Sequence, residues 1–370
     1  MTAPGGEALR IALIAPPWYP VPPRGYGGTE LIVDLLRRGL TARGHDVTVF
    51  GAEGSAPGVV PVAPASWSGD LGHGHASWDR HFTYVSRVQR LMRDLTFDVI
   101  HDHTRPPGLL LWTARGRPGR PGERVVSTQH EPMTEPRETT LLEVRDAVRF
   151  VAVSHAQAAT MTRLGAVDVV HNAVDLDALR VGEQPGDYLL TLARITPTKG
   201  QHLAIEVARR AGMPLVLAGK VDSTPQGRDY FDSAVRPHLG HGVEYLPSVT
   251  GVEKRELIAG AAAGLFPLQW DEPFGLAVLE CMASGVPVVC TPRGATVELV
   301  RPGVNGVLAT DVPGLCDGIA PALALDRVAC ARDARARFGP QRMALEYERV
   351  YRAAGRPARD PSAAMAASAG

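Results

Sequence analysis

Two textures alternate along the chain. Short, β-branched apolar runs stand at 10–15, 47–50, 97–101, 125–128, 150–153 and 167–171. They return at 188–193, 214–218, 243–246 and 286–290, and the apolar run 259–268 ends as one more. Runs this short and this continuously apolar read as buried strands. Stretches between them read as helices: 29–43, 79–95 and 155–164, then 200–211, 227–238, 252–262, 275–284, 313–322, 326–337 and 340–354. Ser154 stands at the N-cap position of the helix from 155. Strand, helix and strand in repetition predict an α/β fold of Rossmann-like units. The pattern breaks at 177–187, a polar stretch with Gly and Pro that reads as an interdomain linker. The expected domains are therefore 1–180 and 188–338. Residues 51–78, rich in Gly, Pro, Ser and His, read as one long loop, and 355–370 as a disordered tail.

Composition narrows the class. A chain of 370 residues, 45% hydrophobic, can bury two sizeable cores. Lys+Arg and Asp+Glu both number 39, so the basic excess of a nucleic-acid binder is missing. The four cysteines, 281, 290, 316 and 330, show no C-x-x-C pair and no disulfide framework, which fits a reducing, cytoplasmic setting. The apolar segment 9–17 is too short for a signal peptide, and no 18-residue apolar run is present, so no transmembrane helix is expected.

The most informative stretch is 266–309, FPLQWDEPFGLAVLECMASGVPVVCTPRGATVELVRPGVNGVLA. It reads as strand, loop, helix, strand. A helix starting at Gly275 leaves its first amides without intrahelical partners, adds the positive end of its dipole, and lets an anion approach a residue without a side chain. Glu272 precedes this helix and Glu280 lies inside it, with seven residues between them. A carboxylate is repelled by a phosphate, so both are better placed to accept from sugar hydroxyls flanking it.

Glu272-x7-Glu280, with Pro-Phe-Gly between and Gly-x-Pro-Val after, resembles the signature of retaining glycosyltransferases of family 4. The similarity continues through Gly294, Glu298, Gly303, Asn305 and Gly306. It implies the GT-B fold, two Rossmann-like domains facing across a cleft, with a last helix, 340–354, crossing back to the N-terminal domain. It implies transfer of a sugar from a nucleoside-diphosphate sugar to a hydroxyl, with retention and without metal or other cofactor. Glu280 would then hold the ribose and Glu272 the transferred sugar. The amides at Gly275, Leu276 and Ala277, next to Phe274, would face the diphosphate. The acceptor, a small molecule, a glycan or a lipid-linked compound, would lie against the N-terminal domain.

Other segments fit the same resemblance. Arg194 and Lys199 (LARITPTKG) follow the first strand of the second half, where a cation pair suits a diphosphate. Ala193 stands where the family usually has Gly. Gly27 and Gly28 (GYGGTE) open a helix after a loop too long for a dinucleotide fingerprint, and by resemblance face the donor phosphate. His130 (STQHEP) matches a histidine facing the donor sugar, and His101-Asp102-His103 a cleft-lining segment. Asp175-Leu176-Asp177 mimics a metal-binding D-x-D but sits in the family's Asn-Gly-Val-Asp context, so a helix-capping role is expected. Arg80, Arg87, Arg90 and Arg93, diluted by Asp79 and Asp94, read as a solvated helix face. Three further readings remain open: an epimerase or phosphorylase on this fold, a retaining glycosidase using Glu272 and Glu280, and a non-catalytic nucleotide-sugar binder.

Overall fold

The computed structural model describes residues 7–71, 74–113, 123–182 and 184–354. The first half builds a seven-stranded parallel sheet from β1 (Arg10–Ile14), β2 (Asp46–Ala52), β3 (Val59–Ala63), β4 (Val99–Asp102), β5 (Arg124–Gln129), β6 (Val148–Ala152) and β7 (Asp168–Val169). Its order is β3-β2-β1-β4-β5-β6-β7. The second half builds a six-stranded parallel sheet from β8 (Leu189–Leu192), β9 (Leu215–Ala218), β10 (Val243–Leu246), β11 (Ala263–Phe266), β12 (Val288–Cys290) and β13 (Gly306–Leu308). Its order is β10-β9-β8-β11-β12-β13. These are two Rossmann-like α/β units.

Each sheet is covered on both faces, which is why its strands are continuously apolar. Ile11 and Leu13 pack into one cluster and Ala12 and Ile14 into another, following the alternation of side chains along a strand. The same holds for Leu190 and Leu189 in β8. Helix Pro340–Ala353 adds Met343, Ala344, Tyr347, Val350 and Tyr351 to a core cluster of the first sheet. It lies so close to helix Gly28–Ala42 that a Cβ on Gly39 would come within 2.7 Å of the Ala344 methyl.

Strand order reverses direction between β1 and β4 in one sheet and between β8 and β11 in the other. Such switch points open a crevice beyond the carboxyl ends of the strands, where α/β sheets bind ligands. The chain leaving β8 carries Arg194 and Lys199, and that leaving β11 carries Glu272. The chain leaving β1 leads to Gly27, and that leaving β4 to His103.

Several local expectations need correction. The long loop expected at 51–78 contains β3, a 3-10 turn at Ala65–Asp70 and the start of helix Gly74–Leu91. Pro61 hides β3 in the sequence. It is tolerated because β3 is an edge strand and need not donate to a further neighbour. Helices at Pro106–Thr113, Glu135–Leu142 and Thr296–Leu299 and the strand β13 add to the predicted elements. The helix expected over 227–238 is α-helical only at Pro225–Tyr230. It widens to a π turn at Phe231–Val235 and tightens at Arg236–His238, where Pro237 supplies no amide. The tail 355–370 lies outside the described residues.

Candidate active site

Helix Leu276–Ala283 starts at the cleft because Gly275 adopts φ +98°, a conformation that turns the chain sharply out of the preceding loop. Leu279 is the first residue whose amide bonds back, to the Gly275 carbonyl at 3.0 Å. The amides of Leu276, Ala277 and Val278 therefore form the positive end of the helix. Helix Gly28–Ala42 begins directly opposite. A Cβ on Gly28 would lie 3.2 Å from Leu276 Cδ1, so the two helix starts touch across the cleft. A side chain on Gly25 would meet Thr250 Cγ2 at 2.8 Å, which closes the loop before helix Gly28–Ala42 against the second domain.

Glu272 is fixed through its backbone. Ala295 N–H donates to its carbonyl at 2.8 Å, and Gly294, at φ +58°, leaves no room for a Cβ, which would come within 2.3 Å of that oxygen. Its carboxylate pairs with the Lys199 ammonium and accepts from Trp270 Nε1 at 3.1 Å, while Lys199 sits 4.5 Å above the Trp270 ring. Glu280, 9% exposed, accepts from Lys254 Nζ at 2.7 Å. Arg194 pairs with Asp222 at 3.2 Å. The two glutamates are thus held by separate lysines, and the expected cation pair is split, each member with its own carboxylate. Lys254, Trp270 and Asp222 were not legible as site residues. Each is brought in by a different strand end or helix, and none stands at a telling spacing from its partner. Phe274 is buried beneath the loop, packed on His171 and Phe338.

On the opposite wall His130 Nε2 lies 2.9 Å from His103 Nδ1, and His103 lies against His101 with ring centroids 4.0 Å apart and planes tilted by 42°. His101 lies 2.7 Å from the Tyr351 hydroxyl and 2.8 Å from Thr128 Oγ1, which lies 2.8 Å from the Tyr347 hydroxyl. Burial pushes His130 down to about 4 and holds His101 and His103 well below the ordinary histidine range. All three rings are neutral near pH 7. His101 faces the last helix rather than the cleft, while His103 links it to His130.

Asp175 and Asp177 both pair with Arg38, at 2.8 and 3.7 Å, and Asp175 accepts from Asp177 N–H at 3.3 Å. They form a turn and an ion-pair cluster, not the helix cap expected from the sequence. Among the described residues one group has the spacing of metal ligands: His155, His171 and Glu298, with ligand atoms within 4.8 Å of one another. Its Glu298 carboxylate already accepts from His155 N–H at 2.9 Å and Ala156 N–H at 2.7 Å, and lies 2.7 Å from His171 Nε2. With Ser154 Oγ donating to the Pro273 carbonyl at 2.7 Å, it ties the first domain to the loop that carries Glu272. Ser154 also caps its own short helix, accepting from Gln157 N–H at 3.0 Å. No helix among the described residues is long and apolar enough to cross a membrane.

Two Rossmann-like domains joined in this way, with a helix start from each meeting in the cleft, define the GT-B architecture. Residues 26–178 match the family described as Glycosyltransferase Family 4, and residues 181–327 that described as Glycosyl transferases group 1. The phosphatidyl-myo-inositol mannosyltransferase of Mycobacterium leprae is 28% identical over 93% of this chain and 96% of its own. Among solved structures, AviGT4, a glycosyltransferase involved in avilamycin A biosynthesis, superposes with a TM-score of 0.73 at 27% identity, covering 94% of this chain and 98% of that one. Anabaena HepE, in complex with UDP and glucose, shares the fold with a TM-score of 0.69 at 19% identity, covering 92% of this chain and 99% of that one. The two family matches run in tandem over most of the chain, which is a glycosyltransferase of the GT-B type.

Proposed function

We propose that the protein moves a sugar from a nucleoside-diphosphate sugar to a hydroxyl acceptor, with retention at the anomeric carbon and without a metal. The observation that carries this reading is the convergence at the cleft of the start of helix Leu276–Ala283, Lys199 and the two glutamates. In this reading the leaving diphosphate is stabilised by the amides of Gly275, Leu276 and Ala277, by Lys199 and Arg194, and by the opposing helix start at Gly27 and Gly28. Glu280 accepts from the ribose hydroxyls. Glu272 and the neutral His130 orient the transferred sugar. Metal independence is supported by this supply of fixed positive charge and by the commitment of Asp175 and Asp177 to Arg38. Retention follows from the family signature. The acceptor would attack on the face from which the diphosphate departs, its proton passing to a phosphate oxygen. HepE was crystallised with UDP and glucose, which supports a nucleotide-sugar donor here.

The test is a panel of nucleoside-diphosphate sugars screened by thermal shift. The true donor binds the folded state preferentially and raises the melting temperature, whereas the matching free sugar does not. A panel without any shift overturns the assignment. Donor turnover without a transfer product points instead to the epimerase reading, and tight binding without turnover to the non-catalytic one.

A further inference from the structure

The three side chains with metal-ligand spacing, His155, His171 and Glu298, come from both domains. His155 and His171 follow β6 and β7 of the first sheet, and Glu298 lies in the short helix Thr296–Leu299 of the second domain. None of the three has a part in donor binding in the reading above. Their ligand atoms lie within 4.8 Å of one another, and the two imidazole rings meet edge to face with centroids 5.7 Å apart.

Two of the three are already held in place. The Glu298 carboxylate accepts from the backbone amides of His155 at 2.9 Å and Ala156 at 2.7 Å, the kind of outer support that orients a ligating carboxylate. His171 packs against Phe274 and Phe338, with ring centroids 6.0 and 5.8 Å away, and its carbonyl accepts from Arg342 Nη2 at 2.7 Å. Its Nε2 lies 2.7 Å from Glu298 Oε2, so one proton joins imidazole to carboxylate. The third side chain, His155, is exposed, and its ring has no hydrogen-bond partner among the described residues. A tie between the domains needs only His171 and Glu298, and it leaves the second imidazole unused. An ionised carboxylate has about four lone-pair sites, so two amides and one shared proton do not exhaust Glu298.

We infer that His155, His171 and Glu298 form a zinc site that clamps the two domains together. Two imidazoles and one carboxylate suit zinc, whereas magnesium and calcium select oxygen ligands. Zinc bonds of about 2.0–2.2 Å set tetrahedral ligand atoms about 3.4 Å apart. The His171–Glu298 contact therefore opens slightly, and the exposed His155 ring turns inward. The metal takes the place of the shared proton, which is released to solvent. Three protein ligands leave the fourth position to water. Because the ligands come from two domains, bound zinc resists their separation. It also steadies the loop that carries Glu272, since the helix of Glu298 follows Ala295, whose amide holds the Glu272 carbonyl. Zinc binding does not depend on the glycosyl-transfer reading and stands or falls apart from it.

The test uses the full chain without an affinity tag. Zinc is titrated in competition with a chromophoric chelator, with magnesium as the control. One equivalent of zinc is expected to bind, and excess magnesium should not displace it. His155→Ala and His171→Ala are each expected to weaken zinc by about tenfold or more. His155→Ala removes an exposed ring and keeps the backbone amide from which Glu298 accepts, so it tests the site without breaking the tie between the domains. His202→Ala, at an exposed histidine on helix Gln201–Ala211, should leave zinc affinity unchanged. Cobalt(II) in place of zinc should give the intense visible absorption of a four-coordinate site, lost in His155→Ala and His171→Ala. Hydrogen exchange locates the metal: zinc should slow the amides of His155 and Ala156 in wild type and not in His155→Ala. No zinc binding, equal zinc affinity in wild type and His155→Ala, or binding that leaves those two amides unprotected overturns the site.

Discussion

Lys199 and Glu272 form an ion pair at the mouth of the cleft, with the Trp270 ring beneath the ammonium and the Trp270 N–H donating to the carboxylate. Their places in the sequence point to different parts of the donor, one to the diphosphate and one to the sugar. Their pairing makes Glu272 and the diphosphate competitors for the Lys199 ammonium. Side-chain exposures of 16% and 12% mean that neither is well screened by water.

Glu272→Gln should therefore release Lys199 towards the diphosphate. Affinity for the free nucleoside diphosphate is expected to rise severalfold while the transfer rate falls, and calorimetry beside initial rates separates the two. Lys199→Met is expected to weaken the diphosphate by about tenfold, roughly 1.4 kcal/mol. It should also lower stability, since it leaves a largely buried carboxylate without its partner. A double variant that binds no better than Lys199→Met alone would confirm that the gain runs through the lysine. A fall in diphosphate affinity on Glu272→Gln would contradict the competition.

Glu280 is held by Lys254 on helix Gly251–Ala259, at 2.7 Å. Glu280→Gln should cost nucleotide binding about 1.5–3 kcal/mol, the usual worth of hydrogen bonds to a charged group. Lys254→Met is expected to produce a smaller loss in the same direction, because the carboxylate stays but loses the cation that orients it. Binding of the nucleoside itself, without phosphates, is the discriminating measurement. If it is unchanged in both variants, neither residue serves the ribose.

Acid should unfold the protein through its buried histidines. His130 and His81 are depressed to about 4, and His101 and His103 well below their ordinary value, each chiefly by burial. The unfolded chain takes up these protons near pH 6.5 and the folded chain only near 4 or below. Stability is thus present above pH 6.5 and is lost as pH falls through that window. Each such group contributes a slope of about 1.4 kcal/mol per pH unit. Urea unfolding between pH 7 and pH 5 should show a shallower slope in His81→Gln than in wild type. Identical slopes would mean that His81 is protonated in the folded state.

Glu30 shows the opposite sign. Burial raises it to about 8, against weaker lowering by its own amide and that of Tyr19. The folded state keeps a proton that the unfolded chain releases near pH 4.5, so stability falls as pH rises from about 4.5 to about 8. Glu30→Gln keeps an acceptor for both amides and removes the titration. Its stability relative to wild type should increase between pH 5 and pH 8. A pH-independent difference would show that Glu30 is charged in the fold.

How much of this was legible depends on range. Glu272, Gly275 and Glu280 lie within one turn-and-helix unit, so their spacing alone locates the loop and the helix start. The parallel strands were legible because burial on two faces makes each a continuous apolar run. β3 and β13 were not: Pro61 argues against a strand and only the edge position of β3 permits it, while β13 is a three-residue edge strand opening on Gly306. Helices Pro106–Thr113 and Glu135–Leu142 were obscured by prolines in their first turns, where proline is harmless but reads as a breaker. The pairings themselves, Lys199 with Glu272 and Lys254 with Glu280, join segments that meet only through the sheet order. No local pattern announces them.

The last helix has a consequence for how the chain is made. Tyr347 and Tyr351 fill the N-terminal core and bond with Thr128 and His101, yet they are synthesised after the entire second domain. The first sheet therefore leaves the ribosome with an open apolar face and two buried polar groups still waiting for their hydroxyls. At roughly 5–20 residues per second this face stays uncovered for many seconds, while the second domain, contiguous in sequence, is already free to close. The expected order of assembly is the reverse of the order of translation, and a chain stopped before residue 340 should hold a folded second domain beside an aggregation-prone first one.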